Sequence, residues 1–472
     1  MPSLRSSEPR RAGEPAFVFD PDRCTGCEAC RIACGIENGS GLESTSDTGW
    51  REVLTFNPSR HPALPTEHLS LACNHCEHPA CMLGCPAAAY HRDEATGAVL
   101  LDPDKCMGCH YCSWVCPYDA PRYDAASGTM SKCTFCNHRL EQGLEPACID
   151  ACPTTALRLG TRADAAEEPV GPGLEAWGLG PALAVRSPRR PASARPAAPA
   201  SGAESDPESG SVGAIPPLQP APPPKIRPGA EWALVLFTVA IPALLAWLGA
   251  GLGRPDREPT AWAFLAVGGA AMGLSTLHLG RPLRAWRAVL NLRTSPLSRE
   301  IALTSAFLGV GTVHLLLPAG SPWRLAAGVL AVLCGAGALV AIDAVYRAIP
   351  RNASAGGSGG RDPARIHGAD AWLTGALLAG LALQVPMAWV PAALLKVLLG
   401  LRERTLPAPF LALRLLLLAA ALLLTASGTP WPWAFAAALP GELLDRAGFY
   451  RRLDPATPAR TMAARMTAAT GR

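Results

Sequence analysis

Charge is what this chain has little of. Asp, Glu, Lys and Arg make up only 17% of its 472 residues, against about 25% in ordinary soluble domains. Its formal net charge is +4, and no basic stripe with interleaved aromatics runs along any segment. A nucleic-acid partner is therefore excluded as an expectation. No apolar run of signal-peptide length precedes Cys24, so the chain is expected to carry no export signal of its own. Eight disulfides are then disfavoured, because thiols stay reduced where the chain is made.

Cysteine is abundant but unevenly spread. Sixteen of the seventeen cysteines fall between Cys24 and Cys152. From about Trp232 onward Leu, Ala, Val and Gly dominate, with hydrophobic segments at 232–252, 261–279, 301–318, 324–346, 371–390, 408–426 and a Trp/Pro-punctuated one at 431–446. Each approaches the ~20 residues that cross a bilayer. Counting them gives an all-α membrane bundle of seven helices, or eight if the short run Pro391–Leu401, which contains Lys396, stands alone. Between the halves, Arg162–Lys225 is rich in Pro, Ala, Ser and Gly and reads as a tether that buries no core. The expected division is 1–161 for the cysteine module, 162–228 for the linker, 229–454 for the membrane module and 455–472 for a tail, with a second flexible loop at Ser354–Gly360.

The sixteen cysteines form four groups of four: Cys24, Cys27, Cys30 and Cys34; Cys73, Cys76, Cys81 and Cys85; Cys106, Cys109, Cys112 and Cys116; Cys133, Cys136, Cys148 and Cys152. The first and third have C-x2-C-x2-C-x3-C spacing, and three groups end in Cys-Pro. A loop with cysteine at every third residue wraps three corners of a cubane, and the fourth thiolate reaches a neighbouring cluster. The reading is an α+β ferredoxin-like domain holding four [4Fe–4S] clusters in two pairs. Zinc ribbons would leave the third cysteine of each tight triplet surplus. Cys334, amid VLAVLCGAGALV, reads as a small packing residue.

The four-group pattern, with an insertion between Cys76 and Cys81 and a long gap between Cys136 and Cys148, resembles the electron-transfer subunit of membrane molybdoenzymes such as dimethyl sulfoxide reductase and formate dehydrogenase. The resemblance covers about 17–160 and implies which cysteines share a cluster: Cys24, Cys27, Cys30 and Cys152; Cys34, Cys133, Cys136 and Cys148; Cys73, Cys76, Cys81 and Cys116; Cys85, Cys106, Cys109 and Cys112. The stretch HLGRPLRAWRAVLNLRTSPLSREIALTS, from His278 to Ser305, and the ending GELLDRAGFY, Gly441–Tyr450, resemble the anchor subunit of dimethyl sulfoxide reductase. That likeness implies a quinol site at His278 and Glu300.

An imidazole and a carboxylate suit quinol chemistry, because they accept the protons that oxidation releases. The plainer readings stand beside this one: Glu300 as a negative group near a helix start, and His278 as an interfacial hydrogen-bonder. His314 and Asp343 lie in hydrophobic segments and are further candidates for a proton path. Arg281, Arg284, Arg287, Arg293 and Arg299 read as topology signals, lipid-headgroup contacts or a docking surface.

The resemblance implies a fused iron–sulfur and anchor subunit in the cell's inner membrane. It would oxidise menaquinol from the quinone pool and pass electrons through four clusters to a separate molybdopterin catalytic subunit. Another molybdoenzyme partner, reversed flow to quinone and a membrane redox sensor are the alternatives. The arginine count of the short loops puts the cysteine module on the cytoplasmic face, whereas the resemblance favours the exported face.

Overall fold

In a computed structural model, the chain is described over residues 13–39, 49–62, 64–186, 222–223, 225–226, 229, 231–254, 256–351, 371–403 and 406–470. The cysteine module is a set of short strands and helices whose sequence alternates brief apolar runs with tight turns. Strand β1 (Pro15–Phe19) pairs antiparallel with β8 (Leu157–Thr161) and parallel with β9 (Leu183–Val185). Three hairpins lie between: β2 (Glu52–Phe56) with β3 (Glu67–Leu71), β4 (Tyr90–Arg92) with β5 (Val99–Leu101), and β6 (Arg122–Asp124) with β7 (Thr129–Ser131). Helices α1 (Ala29–Asn38), α2 (Ala80–Gly84), α3 (Tyr111–Val115), α4 (Asn137–Leu140) and α5 (Ala147–Asp150) each carry or adjoin cysteines. Phe17, Phe19 and Phe135 close the core at 2% exposure or less, with Phe17 edge-on to Phe135 at 4.4 Å.

The module does not stop at Thr161. Residues 162–186, read from composition as the start of the tether, fold back on it. Their short Leu-Ala-Val run supplies β9, and Arg162 donates to Gly180 O and His75 O. Three strand residues amid Pro and Gly give too short a period to be recognised from sequence. The rest of the expected linker, and the loop Ser354–Gly360, lie outside the described residues.

The C-terminal half is helical: α6 (Trp232–Gly251), α7 (Ala261–Ser275), α8 (Pro296–Leu316), α9 (Pro322–Arg347), α10 (Ala371–Leu383), α11 (Pro386–Glu403), α12 (Ala408–Ala426), α13 (Trp431–Arg452) and α14 (Pro458–Thr470). Among the described residues four stretches, Trp232–Gly251, Ala261–His278, Pro322–Arg347 and Ala408–Ala426, are long and apolar enough to cross a membrane, with mean hydropathy from 1.2 to 2.5. Their outward side chains are apolar too; Trp262, Leu333, Leu416 and Leu423 stay exposed. Such a surface has no place in water and suits lipid. The tail read as 455–472 is not loose: α14 returns to the cysteine module, where Met466 Sδ accepts from Asn57 N and Arg465 donates to Gly171 O.

The polypeptide reaches the module-facing end of α8 by two 3-10 helices, Thr276–His278 and Pro282–Val289. Helix α8 starts at Pro296, before the apolar segment that begins at 301, because Ser295 caps it by accepting from Ser298 N and proline fits its first position. Glu300 therefore sits in the second turn, beyond the orphan amides of the helix end. It is buried in the bundle, so a charge–dipole role does not account for it.

Helices α10 to α13 enclose a charge network with no counterpart in the apolar pattern. Lys396 pairs with Glu442 and Asp445, and Arg414 pairs with the same two carboxylates, all four at 1% exposure or less. Thr374 donates to Glu442 and accepts from Lys396 at 2.6 Å. Two cations against two carboxylates balance within the helix bundle. Breaking such a set leaves an uncompensated buried charge, at a cost of about 3–5 kcal/mol. Lys396→Met is expected to lower the unfolding midpoint of the detergent-solubilised protein by an amount matching that loss. An unchanged midpoint would mean that the network contributes nothing.

Candidate iron–sulfur centres and their docking loop

The cysteines gather by set, across the sequence groups. Cys24, Cys27, Cys30 and Cys152 line one cavity together with Phe19, Ser70 and Leu157. Cys73, Cys76, Cys81 and Cys116 line a second, and Cys85, Cys106, Cys109 and Cys112 a third. Cys34, Cys133, Cys136 and Cys148 are mutual electrostatic neighbours at one place in the core. Among the described residues no three His, Cys, Asp or Glu side chains close on a point fit for a single metal ion. The thiols instead ring spaces.

These spaces fit a cubane better than a packed core. Burial pushes the Cys34 and Cys109 thiols up to about 12 and the Cys116 thiol to about 11. A thiolate there needs a bound cation to compensate it. Backbone amides already point at sulfur: Gly108 N and Met130 N at Cys106 Sγ, and Ala89 N at Cys85 Sγ, each at 3.4 Å.

The sets run in file. Cys30 neighbours Cys148, Cys133 neighbours Cys73, and Cys81 neighbours Cys112. The set of Cys85, Cys106, Cys109 and Cys112 lies at the membrane-module end. Cys27, the exposed cysteine of the described residues, lies at the other.

The loop between α7 and α8 grips that membrane-side set through its backbone. Arg284 donates to Pro103 O at 2.7 Å and Cys106 O at 2.8 Å, Asn291 to Cys85 O at 2.9 Å, and Thr294 to Leu83 O at 2.9 Å. Ser295 donates to Gly84 O at 2.8 Å, Ser298 to Pro86 O at 3.3 Å, and Arg281 to Ser127 O at 2.6 Å. Two backbone bonds complete the seam: Gly280 N to Gly108 O at 3.2 Å, and Arg281 N to Met107 O at 3.1 Å. Of the readings open for the arginines, Arg281 and Arg284 are docking residues.

The seam explains a glycine. A Cβ on Gly280 would stand 2.2 Å from Gly128 O and 2.7 Å from Tyr123 Oη. Gly108 and Gly128 meet it in left-handed backbone, at φ +68° and +65°.

His278 and Glu300 converge on the dipeptide that follows Cys109. His278 lies beside His110, whose imidazole burial pushes down to about 4, with His278 and Lys225 adding to the effect. The Nδ1 of His278 is buried with no hydrogen-bond partner among the described residues. Glu300 lies beside Tyr111, whose Oη donates to Val345 O at 3.0 Å. Around Glu300 stand Asp343, Arg446, Tyr346 and Tyr450, the two tyrosine hydroxyls hydrogen-bonded to each other.

Of the two further candidates, Asp343 belongs to this neighbourhood. It accepts from Ala371 N at 3.0 Å. His314 does not: it bonds Arg324 O at 2.7 Å and Glu258 Oε1 at 3.1 Å, joining the far ends of α8 and α9 to the α6–α7 loop. Cys334 packs among apolar residues, as its surroundings in the sequence suggest. Sequence reasoning missed Asn291, Thr294, Ser298, His110 and Tyr111. The last two lie inside the third cysteine group, between Cys109 and Cys112, and that position in a ligand loop was the available signal.

Residues 65–162 match the 4Fe-4S dicluster domain, and residues 259–323 match the dimethyl sulfoxide reductase anchor subunit (DmsC). Over 150 residues the sequence is 39% identical to a chain of the anaerobic dimethyl sulfoxide reductase of Haemophilus influenzae, covering 30% of this protein and 71% of the relative. Over 162 residues it is 38% identical to a subunit of the sulfite dehydrogenase of Allochromatium vinosum, 31% of this protein and 68% of the relative. Over 161 residues it is 37% identical to a subunit of the tetrathionate reductase of Salmonella typhimurium, 33% of this protein and 62% of the relative. With its cysteine sets and its anchor loop held together by the Gly280 seam, the protein belongs to the family of dimethyl sulfoxide reductase-type iron–sulfur subunits, and carries in the same polypeptide a segment of the anchor-subunit family.

Proposed function

We propose that this chain is the electron-transfer and membrane-anchor subunit of a dimethyl sulfoxide reductase-type complex. It spans the membrane several times, oxidises menaquinol beside His278 and Glu300, and delivers electrons to a separate molybdopterin catalytic subunit. The observation that carries the reading is the docking seam: the loop bearing His278 and the start of α8 bearing Glu300 are pressed against the cysteine set Cys85, Cys106, Cys109 and Cys112.

Menaquinol becoming menaquinone gives up two electrons and two protons. His278 offers its imidazole to one quinol hydroxyl, and Glu300 offers a carboxylate for the other proton. Asp343 and the Tyr346–Tyr450 pair lie next in line as hydrogen-bonding partners. Each of the four sets would hold one [4Fe–4S] cluster, which supplies one-electron transfer when bound. The protein's own part is to fix their order, Cys85 set first and Cys24 set last, and to bury all but the exit. The exposed Cys27 marks the end at which the catalytic subunit would receive electrons.

Metal analysis of the purified complex checks the clusters first. Sixteen iron atoms per copy of this protein and no zinc are expected, at four irons for each of about four clusters. Far fewer irons, or zinc in their place, would contradict the conduit.

A further inference from the structure

Two cations are sealed inside the cysteine module with no carboxylate to balance them. Arg51 is 2% exposed and Lys132 3% exposed. Arg51 Nη1 donates to Ser70 Oγ at 3.0 Å, the guanidinium stacks 4.7 Å from the Phe17 ring centroid, and its Nε and Nη2 have no hydrogen-bond partner among the described residues. Lys132 Nζ donates to Val99 O, and to Cys133 O at 3.0 Å. No carboxylate lies within ion-pair distance of either among the described residues, whereas the buried Arg162 bonds carbonyls and the more exposed Arg122 and Arg139 pair with carboxylates at the module's rim.

Their positions show what does balance them. Arg51 sits among Cys30, Cys34, Cys133 and Cys148, which belong to the last two sets in the file, and Ser70 links it to Cys30 Sγ at 3.3 Å. Lys132 lines the cavity of Cys73, Cys76, Cys81 and Cys116 while bonding the carbonyl of Cys133 in the next set toward Cys27. A buried guanidinium or ammonium without a counter-charge is strongly unfavourable. A cubane held by four thiolates is an anion, and reduction makes it more negative.

We propose that Arg51 and Lys132 are built-in counter-charges that raise the reduction potentials of the clusters they lie between: Arg51 those held by the Cys24 and Cys34 sets, Lys132 those held by the Cys34 and Cys73 sets. A fixed cation in a low-dielectric core favours the more negative, reduced state of its neighbours. The set of Cys85, at the membrane end, lies beyond both cations. Electrons entering there would run toward clusters made easier to reduce, so the two side chains give the wire its direction. Both are positioning residues, acting on the reaction through the clusters.

The inference rests on the assignment of the cysteines to four clusters, and the iron content of the unaltered complex tests that assignment separately. Redox titration of the full complex followed by electron paramagnetic resonance tests the inference itself. Arg51→Gln is expected to lower two of the four midpoint potentials by at least the equivalent of a tenfold change in the reduction equilibrium, about 59 mV, and Arg51→Lys to keep them near their original values. Lys132→Met should lower two potentials, sharing one with Arg51→Gln and leaving the membrane-side cluster unmoved. Four unmoved potentials with full iron content would overturn the proposal, as would an equal shift of all four. Should Arg51→Gln lose iron, Arg51→Lys decides: full iron and unaltered potentials support a requirement for charge, and iron loss there too would show a purely steric role and overturn it.

Discussion

Glu300→Gln is expected to slow menaquinol oxidation by the complex by at least about 10²-fold, the usual range for removing a positioned proton acceptor. The substitution keeps the shape of the side chain and takes away its ability to bind the quinol proton. Because Glu300 lies in the second turn of α8, buried and past the helix's orphan amides, exchanging its carboxyl for an amide should do little to the helix itself. Dithionite should still reduce the clusters of the variant fully, since electrons from a soluble donor bypass the quinol site. A variant that oxidises menaquinol at the original rate would sink the assignment of Glu300. One in which dithionite also fails would show damage to the module instead.

Gly280→Val is expected to have a comparable effect by another route. A side chain at this position meets Gly128 O at 2.2 Å and Tyr123 Oη at 2.7 Å, and neither the carbonyl nor the glycine backbone opposite can turn aside. The seam must open, and the bonds from Arg284, Asn291 and Ser295 to the loops of the membrane-side cysteines open with it. Quinol-driven reduction should fall by more than tenfold while total iron and the four dithionite-reduced signals persist, because no ligand is touched. The reverse control is Gly143→Ala. Gly143 has nothing within 4 Å of an added Cβ, though its φ of +74° strains the alanine backbone locally, so quinol-driven transfer should be retained. Equal rates for Gly280→Val and the unaltered protein would mean that close docking does not limit electron entry.

Legibility in the sequence followed the range of the interactions. Cysteine spacing is local, so the four groups could be read directly, and resemblance supplied the exchange of the fourth member that the structure's cavities also bring together. Long apolar helices are local too, and α6, α9 and α12 fall close to where hydropathy puts them. What was misread depends on partners distant in sequence. The short run Pro391–Leu401 reads in the sequence as a helix of its own or part of a bent one, but not as a helix from Pro386 to Glu403 whose Lys396 is neutralised by Glu442 and Asp445 of α13. Helix α8 starts ahead of the onset of hydrophobicity because Ser295 and Pro296 set its beginning. Residues 162–186 and α14 took their order from the cysteine module they pack on, which composition alone does not register. Arg51 has no cysteine near it in sequence and four near it in space.

The docking polar residues show the same limit in the candidate site. His278 and Glu300 stood out as ionisable groups beside apolar segments, but Asn291, Thr294, Ser295 and Ser298 are ordinary in type. Their meaning lies in the carbonyls they reach, more than two hundred residues earlier in the sequence.

The most direct test of the conduit is to mix a menaquinol analogue with oxidised membranes containing the complex and follow the iron–sulfur signals by freeze-quench electron paramagnetic resonance. The account expects quinol to reduce the same clusters that dithionite does, within their potentials, and expects that reduction to vanish in His278→Ala and Glu300→Gln while dithionite still works. Clusters that dithionite reduces but quinol leaves oxidised in the unaltered complex would contradict it.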